Sequence, residues 1–283
     1  MRRATLALSV FASGLVAGCS PARIAGALTP SGGSRAREGL AYGPAARHRL
    51  DLVLPASVTP ATPLAVFFHG GGWTAGSRAE YAFLSRALAA RGIAVAVPDY
   101  RLWPEARWPD FVEDGARAVA WLRTAGDVPG GPVFVMGHSA GGFIAASLAL
   151  DPRWLGEAGR AGLAGGVLLA TPITWQPRDE PNRSIFAAAP GGRIEAVPDP
   201  GTLAGAPPML LLHGEADTVV GPFHAVDLVA GLRAVGRPVT LRLHPGVGHA
   251  GILAAMAAPL RALGLAPAPV FEEVVGFLGG ASV

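Results

Sequence analysis

Between Leu64 and Leu243 the chain repeats one pattern, and that pattern constrains its fold more than anything else in the sequence. Short apolar runs, unbroken at 64–68, 93–97, 133–136, 167–170 and 209–212 and interrupted by Thr240 and Arg242 at 239–243, are separated by turns and by stretches with helical spacing. A strand that is apolar at every position is covered on both faces, which is the signature of a parallel sheet and not of a half-wet antiparallel one. Helical spacing at 81–90, 110–123, 143–150, 223–235 and 271–278 supplies the covering layers. The expected class is therefore α/β, with a mostly parallel central sheet flanked by helices. The alternating segment 50–54 reads as an edge strand. With 283 residues, 51% of them hydrophobic, and no internal repeat, one large core is expected. The interval 171–206 has no clear strand and is rich in Pro, Arg and Gly. It reads as a short cap insertion over the carboxyl edge of the sheet, inside a domain spanning 41–283.

The charge pattern excludes some functions. All 23 basic residues are Arg, and they are scattered, so the net charge of +3 forms no basic tract. A nucleic-acid partner would require a clustered basic face, and none is expected. The one cysteine, Cys19, rules out internal disulfides and multi-cysteine metal sites.

The amino terminus reads as an export signal. Arg2 and Arg3 form a basic start, and 4–17 is apolar or small but too short to span a bilayer of about 20 residues. Val16-Ala17-Gly18-Cys19 resembles the lipobox of bacterial lipoprotein signals. The resemblance implies removal of 1–18, lipidation of Cys19 and attachment to the membrane through that lipid. Ser20 after the cysteine points to the outer membrane, on its periplasmic side. The alternative is an ordinary signal cleaved after Ala25-Gly26-Ala27, which would leave a periplasmic or secreted protein. The segment 19–40 shows no hydrophobic periodicity and reads as a flexible tether.

Three motifs carry chemistry. Gly137-His138-Ser139-Ala140-Gly141 has the form G-x-S-x-G and lies between an expected strand and an expected helix, the placement of a nucleophile elbow. His69-Gly70-Gly71-Gly72-Trp73 follows an earlier strand, and its glycines leave main-chain N–H groups for an oxyanion. A phosphate-binding P-loop is excluded there, because the chain has no lysine. Asp99-Tyr100-Arg101-Leu102-Trp103-Pro104-Glu105 is the third motif.

Together and in this order, over about 50–278, these motifs resemble the α/β-hydrolase fold of carboxylesterases and hormone-sensitive-lipase-like enzymes, including the arylformamidase-like branch. The resemblance implies a serine hydrolase acting on a small-molecule ester without cofactor or metal. It implies Ser139 as nucleophile, Asp217 in His213-Gly214-Glu215-Ala216-Asp217 as the acid, and His249 in Val247-Gly248-His249-Ala250-Gly251 as the base. Glu215 is the rival acid. The amides of Gly70, Gly71 and Ala140 would form the oxyanion hole. Tyr100, Arg101 and Glu105 would brace the loops behind the site, and Trp73 and Trp103 are candidates for the wall of the substrate pocket. His213 and His244 end strands, His138 flanks the nucleophile, and His48 and His224 read as surface residues. Ester, formamide and acetylated-sugar substrates need the same machinery, and the oligomeric state leaves no mark in the sequence.

Overall fold

The computed structural model describes residues 21–197 and 199–280. The export signal and Cys19 lie outside the described residues. In chain order the elements are α1 (Pro21–Leu28), β1 (Arg35–Ala41), β2 (Arg49–Leu54), β3 (Leu64–Phe68), α2 (Ala82–Ala89), β4 (Ala94–Pro98), α3 (Asp110–Thr124), β5 (Val133–His138), α4 (Ala140–Leu150) and α5 (Pro152–Ala161). There follow β6 (Gly165–Leu169), β7 (Thr174–Trp175), α6 (Asn182–Ile185), β8 (Ile194–Glu195), β9 (Met209–Gly214), α7 (Phe223–Ala234), β10 (Val239–His244), α8 (His249–Ala254), α9 (Ala258–Ala262) and α10 (Val270–Leu278).

Eight strands form one sheet in the order β1-β2-β4-β3-β5-β6-β9-β10. From β4 to β10 all neighbours are parallel, and β2 alone runs in the opposite direction. Every residue of β3, β4, β6 and β9 is buried, as their unbroken apolar runs require. The period-2 alternation of strands divides the core. Val66, Phe68 and Val135 face α3 and α4, whereas Ala65, Phe67 and Met136 face α2, α8 and α10. Full burial of each Val, Phe or Met among these contributes about 1.5–3 kcal/mol relative to exposure.

Two expectations are corrected here. The segment 19–40 is not a tether from Pro21 onward, because α1 packs on α2 and β1 pairs with β2. Small residues make the α1 contact: a Cβ on Gly26 would stand 3.2 Å from that of Ala82. Arg86 Nη1 also donates to the Gly26 carbonyl at 2.8 Å. Main-chain pairing holds β1, so no apolar period announces it. As a result 50–54 is not an edge strand; β2 lies between β1 and β4, and β1 takes the edge.

The interval 171–206 folds as the β7–β8 pair with α6 and two short 3-10 segments, Pro190–Gly192 and Pro200–Gly205, inserted between β6 and β9. Ile185, Phe186 and Ile194 anchor it in the core on the α3–α4 side.

Candidate active site

Strand β5 delivers Ser139 to the carboxyl edge of the sheet, and α4 starts at the next residue. Ser139 has φ 53° and ψ −122°, a region that residues with side chains rarely adopt. Two hydrogen bonds fix the bend: Ser139 N–H donates to the Leu169 carbonyl at 3.0 Å, and Phe143 N–H donates to the Ser139 carbonyl at 3.1 Å. The flanking glycines are sterically required. A Cβ on Gly137 would stand 2.2 Å from the Gly141 carbonyl oxygen, and one on Gly141 would stand 2.1 Å from that of Phe68. The strand-to-helix turn is thus packed against the end of β3, with Ser139 half-buried at its tip.

Asp217 sits in the turn after β9 and His249 opens α8 after β10. His249 Nδ1 lies 2.7 Å from Asp217 Oδ2. The Asp217 side chain is fully buried, and its Oδ1 accepts N–H groups of Val219 at 2.8 Å and Val220 at 2.9 Å. Burial pushes its acidity the other way, but hydrogen bonds from His213, His249 and Val220 prevail and hold the carboxyl well below the usual range. Glu215 is exposed, and among the described residues its side chain makes no hydrogen bond or ion pair with His249. His249 is brought to the serine turn as well: its carbonyl lies 3.2 Å from His138 Nε2, and the two imidazole rings are 4.8 Å apart.

Two histidines were not expected to take part in this cluster. His213 Nε2 lies 2.8 Å from the Val220 carbonyl and 3.4 Å from Asp217 Oδ2. His138 is buried, and burial pushes it down to about 3, so it is neutral at pH 7. Neither signals this in sequence, since one ends a strand and the other occupies the variable position of the pentapeptide.

The Gly loop requires one correction. Gly70 is buried and its N–H donates to Tyr81 Oη at 3.2 Å, so it is not available to an oxyanion. Gly71 and Gly72 are exposed, and among the described residues their N–H groups have no acceptor. Gly71 (φ 121°), Gly72 (φ 58°) and Trp73 (φ 60°) form a left-handed run that turns these amides outward. The Gly loop reaches the serine turn at Gly70, where a Cβ would stand 3.5 Å from that of Ser139, and the amide of Ala140, the first of α4, adjoins Ser139 in the chain. The loop is braced from behind: Tyr100 Oη donates to the His69 carbonyl at 2.8 Å, and Arg47 Nη2 to the Gly76 carbonyl at 2.9 Å.

The other expected residues divide. Arg101 pairs with the fully buried Asp114, which also holds His48 Nε2 at 2.8 Å; His48 is therefore buried and not on the surface. His224 is buried too, its Nδ1 accepting the Ile173 N–H at 3.5 Å, because the insertion folds over it. Glu105 is exposed, and among the described residues its side chain has no hydrogen bond or ion pair, so the expected bracing role is not seen. Trp73 is only 2% exposed and is not an open wall; it is enclosed by Phe143, Trp175 and Phe186, which join the Gly loop to the insertion. Trp103 is half-buried, with the Arg107 guanidinium 5.0 Å from its ring. Among the described residues no group of three His, Cys, Asp or Glu side chains is placed to hold a metal ion.

A family model described as alpha/beta hydrolase fold matches residues 65–253. The chain belongs to the alpha/beta hydrolase family. This hydrolase is 32% identical over 238 residues to a probable isoprenylcysteine alpha-carbonyl methylesterase of Oryza sativa subsp. japonica, covering 75% of this chain and 57% of the relative. It is 35% identical over 216 residues to esterase LipC of Mycobacterium tuberculosis, covering 68% and 53%. The hydrolase thus spans about half the length of the curated relatives it matches. Its fold is similar to that of a thermostable esterase from Pseudomonas putida, with a TM-score of 0.67, 24% identity and coverage of 93% of this chain and 91% of that one.

Proposed function

We propose that this hydrolase is a serine esterase that cleaves carboxylic esters of small or short-acyl substrates through an acyl-enzyme. The observation that carries the reading is the 2.7 Å pairing of His249 Nδ1 with Asp217, on a base held against the turn that presents Ser139. A carboxylate at Nδ1 fixes that nitrogen as the proton carrier and leaves Nε2 as the lone pair for the serine hydroxyl. His249 takes the Ser139 proton as Oγ bonds to the acyl carbon. The amides of Gly71, Gly72 and Ala140 receive the developing oxyanion, and each such donor is worth about 10²–10³ in rate. Protonated His249 returns its proton to the leaving alcohol, and then activates the water that releases the acid. The esterase names of the relatives support this, and the methyl ester in one of them suits a small leaving group. Arylformamide hydrolysis and sugar deacetylation use the same groups and form the alternative. An active-site fluorophosphonate should label the wild type at Ser139 and leave Ser139→Ala unlabelled; labelling of that variant would overturn the assignment. Parallel rates on p-nitrophenyl acetate, N-formylkynurenine and acetylated xylan rank the substrate classes.

We further propose that Cys19 is lipidated and holds the enzyme on the envelope membrane, at the periplasmic face of the outer membrane. Among the described residues no helix is long and apolar enough to cross a membrane. Helix α1 begins two residues after Cys19 and exposes Ile24 and Leu28, one turn apart, on one side. Cys19→Ser should move the protein from the membrane to the soluble fraction, and an unchanged distribution would refute the anchor.

A further inference from the structure

The base has the weakest local support of the proposed triad. His249 opens a six-residue helix after the loop 245–248, of which Pro245 and Gly246 are exposed and Val247 is buried. Besides the pairing of His249 with Asp217, two main-chain contacts tie this segment to the rest of the site. The Val247 carbonyl accepts the Ala216 N–H at 3.0 Å, which joins the base loop to the acid loop. The His249 carbonyl meets His138 Nε2 at 3.2 Å, which joins it to the nucleophile strand.

We propose that His138 is a positioning residue: its Nε2–H donates to the main-chain carbonyl of His249 and holds the base in register with the adjacent serine. The inference rests on His249 being the base. A carbonyl only accepts, so the hydrogen of the neutral His138 ring must reside on Nε2. The ring is 6% exposed, which keeps water from competing for that carbonyl. Its other side is equally enclosed. A Cβ on Gly70 would stand 3.0 Å from His138 Nδ1 and 3.5 Å from Ser139 Cβ. One ring therefore touches the base loop and the Gly loop, and it is covalently next to the nucleophile. His138 is not a second base, because the carboxylate that orients an imidazole here is bound to His249 and flanked by His213.

The test compares shape with hydrogen bonding in the full chain. His138→Phe keeps a planar ring and removes the donor, whereas the amide nitrogen of His138→Gln reaches the place of Nε2. With p-nitrophenyl acetate, loss of one neutral hydrogen bond predicts a fall of about 2- to 12-fold, and misplacement of the base by about 1 Å a fall nearer 100-fold. The expected result is a kcat for His138→Phe lowered about 10- to 100-fold with KM within about twofold. His138→Gln should recover to within about threefold of wild type. Equal losses in Phe and Gln, or a Phe variant with wild-type kcat, would overturn the proposal. If near-UV circular dichroism shows that Phe does not fold, His138→Leu replaces it in the same comparison. If Gln does not fold either, the role is structural and the proposal fails. Ser139→Ala separates the two readings. Activity remaining in that variant removes the triad, whereas an inactive Ser139→Ala with indifferent His138 variants removes only this inference.

Discussion

Replacing Asp217 with Asn changes one atom of the acid and should disable the base without unfolding the protein. On one side of the carboxylate, Oδ1 accepts two main-chain N–H groups, from Val219 at 2.8 Å and Val220 at 2.9 Å. An amide must keep its oxygen there, because turning its NH2 to that side would leave two main-chain donors facing a donor, at about 1–3 kcal/mol for the buried Val220 N–H alone. The NH2 then faces His249 Nδ1, where Oδ2 now stands at 2.7 Å. His213 Nε2, at 3.4 Å on the same side, favours the opposite orientation but is already bonded to the Val220 carbonyl. With a donor at Nδ1, His249 must carry its hydrogen on Nε2, and the lone pair that should accept the Ser139 proton is gone. In triads of this kind the wrong tautomer costs about 10⁴ in kcat, roughly 5 kcal/mol of transition-state stabilisation. Steady-state kinetics on p-nitrophenyl acetate should show that loss with little change in KM, and fluorophosphonate labelling should slow in parallel. Glu215→Gln, on an exposed side chain in the same turn, should stay within about twofold of wild type. Asp217→Asn activity within tenfold of wild type, or a comparable loss in Glu215→Gln, would refute the reasoning.

Three further outcomes follow from the geometry. Gly141→Ala would place a Cβ 2.1 Å from the Phe68 carbonyl oxygen and 2.3 Å from that of His69, both main chain. It should destabilise by more than about 4 kcal/mol, whereas Gly246→Ala (φ +71°, with nothing within 4 Å) should cost about 1–2 kcal/mol; equal denaturation midpoints would contradict this. Tyr81→Phe strips the acceptor from the Gly70 N–H. It should cost about 1–3 kcal/mol in urea unfolding and lower kcat, and an unchanged midpoint would show that the contact holds nothing. His138 titrates near 3 in the folded chain and near its ordinary 6.5 when unfolded. The unfolded state therefore takes up the extra proton, and stability falls as pH drops through this window. The stability difference between wild type and His138→Gln should shift against the wild type by up to about 2 kcal/mol from pH 7 to pH 5; a constant difference would refute it.

The architecture was legible because it is written in local composition. Runs such as Leu64–Phe68 suit strands covered on both faces, and all six apolar runs, the interrupted one at 239–243 included, form the parallel part of the sheet. Ser139, Asp217 and His249 were legible through motif order, and the structure brings Asp217 and His249 into contact. Strand β1 was not legible, since Arg35–Ala41 is held by main-chain pairing with β2 and by the Gly39 N–H donating to Asp51 Oδ1 at 2.8 Å. Neither leaves an apolar period. His48 and His224 were misplaced for a related reason: each is buried by a partner remote in sequence, Asp114 and Ile173.

The Gly loop shows where sequence reasoning stops and why. Three successive glycines say that main-chain donors are exposed, but not which ones. The choice is made by Tyr81, eleven residues on, whose hydroxyl takes the Gly70 N–H and so fixes where the left-handed run through Gly71 and Gly72 begins. Tyr81 is packed among rings, 5.0 Å from Phe67 and 6.0 Å from Phe83, and burial pushes its hydroxyl up to about 12, so it is protonated at pH 7. A phenol that has found an acceptor for its own proton still has a lone pair to receive the amide, and one that has not is costly to bury. On the proposed reading, the donors left for an oxyanion are therefore selected by Tyr81, a buried side chain that takes the Gly70 N–H. A swap of any residue that repacks Tyr81 should act on kcat through Gly71 and Gly72 before it acts on binding.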